Sequence, residues 1–250
     1  MDLAIKNIKL IKPNALNSKI SMLETKKLFQ DVKEFLKKEL NKDLVNFEHQ
    51  GISFDVNLES NEKVEIHVLE DSRSLVSLIF GLISRPDGKT LETARLSVVV
   101  EDSKTTILDI NYEQATKKFV VGTEFVEDTI ENTWKTIKEK NRSGLIEDLE
   151  TDPIKAQDFG DTCLPGGYQY CGQQCGTNGS AGGGGPIYNK VDGCCYIHDE
   201  CYKKHKTNRC SNCDQALVDC VNTWNNYKEG PVAATSISSF FIAKCGFIIV

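Results

Sequence analysis

All ten cysteines of this 250-residue chain lie between Cys163 and Cys245, and residues 1–150 contain none. A chain divided in this way cannot be stabilised by one device throughout. Its first part must bury an ordinary apolar core, whereas its last part can be tied together by disulfides and needs less core. The expected organisation is therefore two domains: an α+β domain at 1–140, a linker at 141–160 and a small, disulfide-rich, mainly α domain at 161–250.

The cysteine density also points to an oxidising destination, so the chain is expected to be secreted or otherwise exported. Met1-Asp2-Leu3-Ala4-Ile5-Lys6 shows no basic stretch followed by an apolar run, so it does not read as a secretory signal. Charge narrows the partners. Residues 1–150 carry 22 Lys+Arg against 27 Asp+Glu, and residues 151–250 carry 8 against 9, which gives the net charge of −6. No basic stripe is present to neutralise phosphates, so nucleic acid is not an expected partner. An anionic membrane would have to be met locally by Lys203, Lys204, Lys206 and Arg209.

In the cysteine-free part, residues 3–11 read as a strand. Leu28, Val32, Phe35, Leu36 and Leu40 mark a helix from about Leu23 to Leu40. Ile52, Phe54, Val56 and Leu58, then Val64, Ile66 and Val68, alternate as an antiparallel hairpin with one buried face, turning at Glu59-Ser60-Asn61-Glu62. The apolar run Leu75–Ile83 is too short to span a bilayer and reads as a buried element ending at Arg85-Pro86-Asp87-Gly88. Strands follow at Leu96–Val100, Thr105–Tyr112 and Lys117–Val121. A second amphipathic helix is marked by Val126, Ile130, Thr133, Trp134 and Ile137. The sheet is expected to be mostly antiparallel. His49 and His67 read as isolated structural residues. The acidic stretch around Glu147-Asp148-Leu149-Glu150 reads as an exposed linker and a possible cleavage site between a pro-region and a mature module.

Chemistry concentrates in Gly193-Cys194-Cys195-Tyr196-Ile197-His198-Asp199-Glu200-Cys201-Tyr202. On a helix, Cys194, His198 and Cys201 share one face, and Tyr202 lies one turn beyond His198. A second helix brings Cys213, Leu217 and Cys220 onto one face with Asp214 near its start. The two helices, expected at 191–206 and 210–228, could be cross-linked antiparallel. Asp214 within reach of His198 would fix the imidazole tautomer and support it as a base. Upstream, Tyr170-Cys171-Gly172-Gln173-Gln174-Cys175-Gly176 opens a glycine-rich loop that runs to Gly182-Gly183-Gly184-Gly185-Pro186. No Gly-Lys-Ser/Thr follows, so this is not a phosphate-binding P-loop. Backbone carbonyls beside the Asp199 carboxylate form a hard-oxygen environment suited to Ca2+. Zinc is the rival, but Cys210-Ser211-Asn212-Cys213 is the only C-x2-C pair. The apolar stretch Val232–Val250 contains Lys244 and three serines. It is expected to pack against the helical core, with membrane insertion the second choice.

The segments Tyr170-Cys171-Gly172, Asp192 to Tyr202, and Cys213-Asp214 with Cys220 resemble the secreted phospholipase A2 family over about residues 163–228. The family's active-site helix carries Cys-Cys-x-x-His-Asp-x-Cys-Tyr, and its next helix carries Cys-Asp with a cysteine six residues after the aspartate. The resemblance implies that 161–250 is a phospholipase A2-like domain hydrolysing the sn-2 acyl ester of phospholipids, with a phospholipid membrane surface as partner. It implies His198 as general base, Asp214 and Tyr202 as its supports, and Ca2+ held by Asp199 and the carbonyls of Tyr170, Gly172 and Gln174. It also implies disulfides Cys171–Cys195, Cys194–Cys220 and Cys201–Cys213. Cys163, Cys175, Cys210 and Cys245 remain, with three possible pairings. The family usually has glycine where Gln174 stands, a shorter loop and an aspartate near Asn189. The alternatives are a non-enzymatic membrane-active toxin or bacteriocin-like module, and an inactive phospholipase-like binding module. In the last case the N-terminal domain inhibits or delivers the C-terminal one.

Overall fold

A computed structural model describes residues 5–56, 62–101, 103–142, 145–151, 163–176 and 182–245. Seven strands form one antiparallel sheet in sequence order: β1 (Ile5–Leu10), β2 (Glu48–Val56), β3 (Glu62–Asp71), β4 (Val76–Ser84), β5 (Thr90–Glu101), β6 (Thr105–Glu113) and β7 (Lys118–Val126). The expected turn between β2 and β3 falls largely on 57–61, outside the described residues.

Both faces of the central strands are covered, which the hairpin pattern alone did not suggest. On β3, Val64, Ile66 and Val68 face one core, and Leu69 faces the other. On β4, Ile79 and Ile83 alternate with Leu78, Phe80 and Leu82 in the same way. A strand with two covered faces has no need of polar alternation, which accounts for the apolar-rich run near Leu75–Ile83, where only Ser77 is polar. One face is covered by α1 (Pro13–Glu24) and α2 (Lys27–Leu40). The helix expected from Leu23 to Leu40 is α2, which starts later, at Lys27; Leu23 ends a separate helix, α1, that the pattern did not mark, and Thr25 and Lys26 lie between the two. α2 buries Leu28, Phe29, Val32 and Leu36, and Asn41, in the left-handed conformation at φ 49°, ends it. On the same face His49 and His67 are not isolated: His49 Nε2 lies 3.0 Å from His67 Nδ1. Burial first, then the neighbouring imidazole, pushes the His49 pKa down to about 4.

The other face carries α3 (Ile130–Arg142), α4 (Leu145–Thr151) and α8 (Pro231–Cys245). α3 starts later than its pattern suggested, because Val126 belongs to β7. α4 occupies part of the stretch expected to be an exposed linker, and its Ile146 and Leu149 are buried. Residues 152–160 lie outside the described residues. α8 is buried almost all round, with Val232, Ala234, Ile237, Phe240 and Ile242 inside. It packs on β3 and β4 with one side and on the cysteine-bearing helices with the other, so it can be apolar on every face. The expected packing of the apolar C-terminal stretch holds for 232–245, and 246–250 lie outside the described residues. No helix among the described residues is long and apolar enough to cross a membrane.

The antiparallel sheet and the helical, disulfide-rich part share one apolar core. Ile52, Phe54, Val64 and Ile66 from the sheet join Cys194, Leu217 and Val221 across α8. Arg95 on β5 bridges the two parts. Its Nε and Nη2 hold Asp109 at 2.7 and 2.6 Å, and its Nη1 donates to the Asn222 carbonyl at 2.8 Å.

Candidate active site

Five disulfides shape the site: Cys163–Cys175, Cys171–Cys195, Cys194–Cys220, Cys201–Cys213 and Cys210–Cys245. Three are the pairs expected from the resemblance, and the other two resolve the open choice among four cysteines. The central helix is α5 (Lys190–Lys204). Asn189 caps it by accepting from Asp192 N at 3.0 Å. Asparagine and aspartate cap equally well, so asparagine at this position does not weaken the helix start. The second expected helix is broken. A π-helical turn, Cys210–Asp214, leads into α6 (Gln215–Asn222), and extended backbone at Thr223 precedes α7 (Trp224–Tyr227). The wide turn buries Cys213 and Asp214 together beneath α5.

His198, Asp214 and Tyr202 meet there. His198 Nε2 lies 2.8 Å from Asp214 Oδ1, and the Tyr202 hydroxyl donates to the same oxygen at 2.6 Å. The Asp214 side chain has no exposed surface and that of His198 is 10% exposed. Burial alone would raise the Asp214 carboxyl. Bonds from His198, Lys244 and Tyr202 outweigh it and hold the group below its usual range, so it is an anion. Burial, and then the bond to Asp214, push the Tyr202 hydroxyl upward, so it remains a donor. An ionised carboxylate can only accept, so Nε2 is the nitrogen that donates in this bond, and Nδ1 is the one turned away from Asp214. The Phe241 ring of α8 meets the imidazole edge-on, with centroids 5.2 Å apart.

Asp199, next to His198, faces the loop 170–176. A Cβ on Gly176 would stand 3.2 Å from Asp199 Oδ2 and 2.9 Å from the Tyr170 ring. Gly176 is at φ 106°, so glycine is required there both for conformation and for the close approach to the carboxylate. Burial pushes the Asp199 carboxyl up to about 7, against the opposing charge of Lys203. Such a carboxylate has much to gain from a cation. Of the other expected ligands, the Gly172 carbonyl accepts from Cys175 N at 3.3 Å. Gln174 adopts φ 55°, the left-handed region that favours glycine. Within the glycine run a Cβ on Gly182 would stand in open space, but Gly183 lies close against its neighbours. A Cβ on Gly183 would meet the Gln169 carbonyl at 2.2 Å and the sulfurs of Cys163 and Cys175. Residues 177–181 lie outside the described residues.

A grouping of Cys210, Asp214 and Cys245 has metal-like spacing, but its cysteines are joined in a disulfide and offer no thiolate. Among the described residues no other such group occurs. Two residues stand in structural roles that the motif did not assign. Asp192 Oδ1 accepts from Gln169 N and Tyr170 N at 3.0 and 2.8 Å, and its Oδ2 accepts from Tyr188 N at 3.0 Å. It thereby fixes the start of the loop to the start of α5. Lys244 reaches Asp214 from α8. Its signal in the sequence was a lone lysine in an apolar stretch, since a buried cation needs a partner. No protein-family model, curated protein or solved structure matches this chain.

Proposed function

We propose that the protein is a Ca2+-dependent phospholipase A2-like esterase that hydrolyses the sn-2 acyl ester of phospholipids at a membrane surface. The observation that carries this reading is the buried set of bonds joining His198, Asp214 and Tyr202, one residue away from a carboxylate under a glycine loop.

In this mechanism His198 Nδ1 takes a proton from a water molecule as the water oxygen bonds to the acyl carbon. Asp214 stabilises the imidazolium that forms, and Tyr202 keeps the carboxylate oriented. When the ester C–O bond breaks, His198 returns the proton to the departing glycerol oxygen, giving a fatty acid and a lysophospholipid. Asp199 and the carbonyls of Tyr170, Gly172 and Gln174 are the residues that would hold Ca2+. Hard oxygen donors and a buried carboxyl raised towards neutrality fit that ion. When bound, Ca2+ supplies Lewis-acid polarisation of the ester carbonyl and phosphate.

Fatty-acid release from phospholipid vesicles tests the reading. Oxidised protein is expected to be at least about tenfold faster with Ca2+ than with chelator, and Asp199→Asn to remove the difference. Equal background rates in both conditions would refute the esterase assignment.

The shared core bears on the role of the N-terminal part. Cutting the chain between 152 and 160 is expected to leave the two pieces associated, because α8 is packed on β3 and β4. Native size-exclusion chromatography of the cut protein should show one peak containing both pieces. Two separate folded pieces would instead support a removable pro-region.

A further inference from the structure

The last turn of α8 brings to the site a charged group that the proposed chemistry does not use. Lys244 Nζ donates to Asp214 Oδ2 at 2.7 Å and to the Tyr202 hydroxyl at 2.6 Å. Tyr202, having accepted from Lys244, directs its own proton to Asp214 Oδ1. The three groups close a ring, and His198 hangs from the one oxygen that Tyr202 also binds. The Lys244 side chain is 15% exposed and that of Asp214 is 0% exposed. The neighbouring Cys245 is bonded to Cys210 in the π-helical turn that presents Asp214. Covalent and ionic ties therefore fix the end of α8 to the same turn. Phe241, one turn earlier, touches the imidazole ring itself.

A carboxylate turns easily about its last torsion, which is broad and roughly two-fold. An imidazole held by a single carboxylate oxygen is only as well placed as that carboxylate. Tyr202 and His198 both act on Oδ1, and Lys244 is the group that fixes Oδ2. It also supplies the counter-charge without which a fully buried anion is costly.

We propose that Lys244 is a positioning residue of this site: it locks Asp214 Oδ2 and the Tyr202 hydroxyl, and so sets where His198 Nδ1 stands. This rests on the esterase reading for its kinetic consequence, but the placement of the imidazole can be observed without turnover. α8 is then a working part of the site, and the sheet that seats α8 is its foundation.

The test compares Lys244→Met and Lys244→Arg with the parent protein, each shown by intact mass to hold five disulfides. On phospholipid vesicles with Ca2+, Lys244→Met is expected to lower kcat about tenfold or more with KM little changed, because a misplaced base costs rate rather than binding. Lys244→Arg, which keeps the charge and the donors, should recover most of the loss. In proton NMR, the hydrogen-bonded Nε2–H resonance of His198 should be sharp in the parent and in Lys244→Arg, and broadened or lost in Lys244→Met. An unchanged resonance in Lys244→Met, or an unchanged kcat in an active parent, overturns the proposal. A parent that hydrolyses nothing yet shows the expected pattern of resonances sinks the esterase reading and leaves the positioning role standing.

Discussion

Glutamine in place of His198 is expected to abolish Ca2+-dependent fatty-acid release while leaving the fold and disulfides in place. The glutamine amide can still donate to Asp214, so the buried carboxylate keeps a partner where Nε2 stood. What is lost is the basic nitrogen. Its removal should slow hydrolysis by about a thousandfold, or about 4 kcal/mol of transition-state stabilisation. Rates with and without chelator, measured beside the circular dichroism and disulfide content of the variant, make the check. A variant within tenfold of the parent would show that the imidazole is not the base. Vesicle leakage that survives both the substitution and the chelator would instead favour the non-enzymatic membrane-active alternative. Residues 232–243 of the apolar end are mostly buried between sheet and helices.

The largest expected loss of stability follows from Arg95→Ala. The guanidinium holds Asp109 through two nitrogens, caps the last carbonyl of α6 at Asn222, and stacks 3.8 Å above the Tyr227 ring. Alanine leaves the Asp109 carboxylate, whose side chain is 12% exposed, with its charge uncompensated. Breaking a buried pair in this way costs about 3–5 kcal/mol, a large part of the ~5–15 kcal/mol that holds a typical domain together. Arg95→Lys should recover only part of it, since an ammonium cannot make the two-pronged contact. Trp134 on α3 and Trp224 on α7 lie in different parts of the chain, so urea unfolding followed by fluorescence reads both. One transition, displaced to lower urea, is expected. An unmoved midpoint would show that Arg95 does not couple the sheet to the cysteine-bearing helices.

What could be read from the residues alone was whatever depended on short spacing. The helical period places Cys194, His198, Cys201 and Tyr202, and a strand period marks β2, β3 and β6. Contacts between distant segments were out of reach by that route. His49 and His67 are neighbours only because Gly51 pairs with His67 across β2 and β3, a register that neither segment specifies. Lys244 meets Asp214 only because the last helix turns back over the π-helical turn. Cys210 and Cys245 had two other possible arrangements of partners. α1 escaped notice because its sequence, Pro13-Asn14-Ala15-Leu16-Asn17-Ser18, is poor in helix formers, and Leu23 is its buried residue. The break before α2 was hidden because the apolar period runs on across Thr25 and Lys26.

The position of α8 in the chain sets an order of assembly. As the protein leaves the ribosome, the strands and the cysteine pairs up to Cys220 emerge before the helix that fills the space between them. Until α8 arrives, the sheet face around Val64 and Ile66 lacks the cover that this helix gives it, and Asp214 has no counter-charge from Lys244. Cys210 must also wait for Cys245 while Cys213 lies close by in its own turn. The nascent chain is therefore most exposed to aggregation and to mispaired cysteines just before α8 docks, and the cluster of His198, Asp214, Tyr202 and Lys244 is completed in the same event that closes the core.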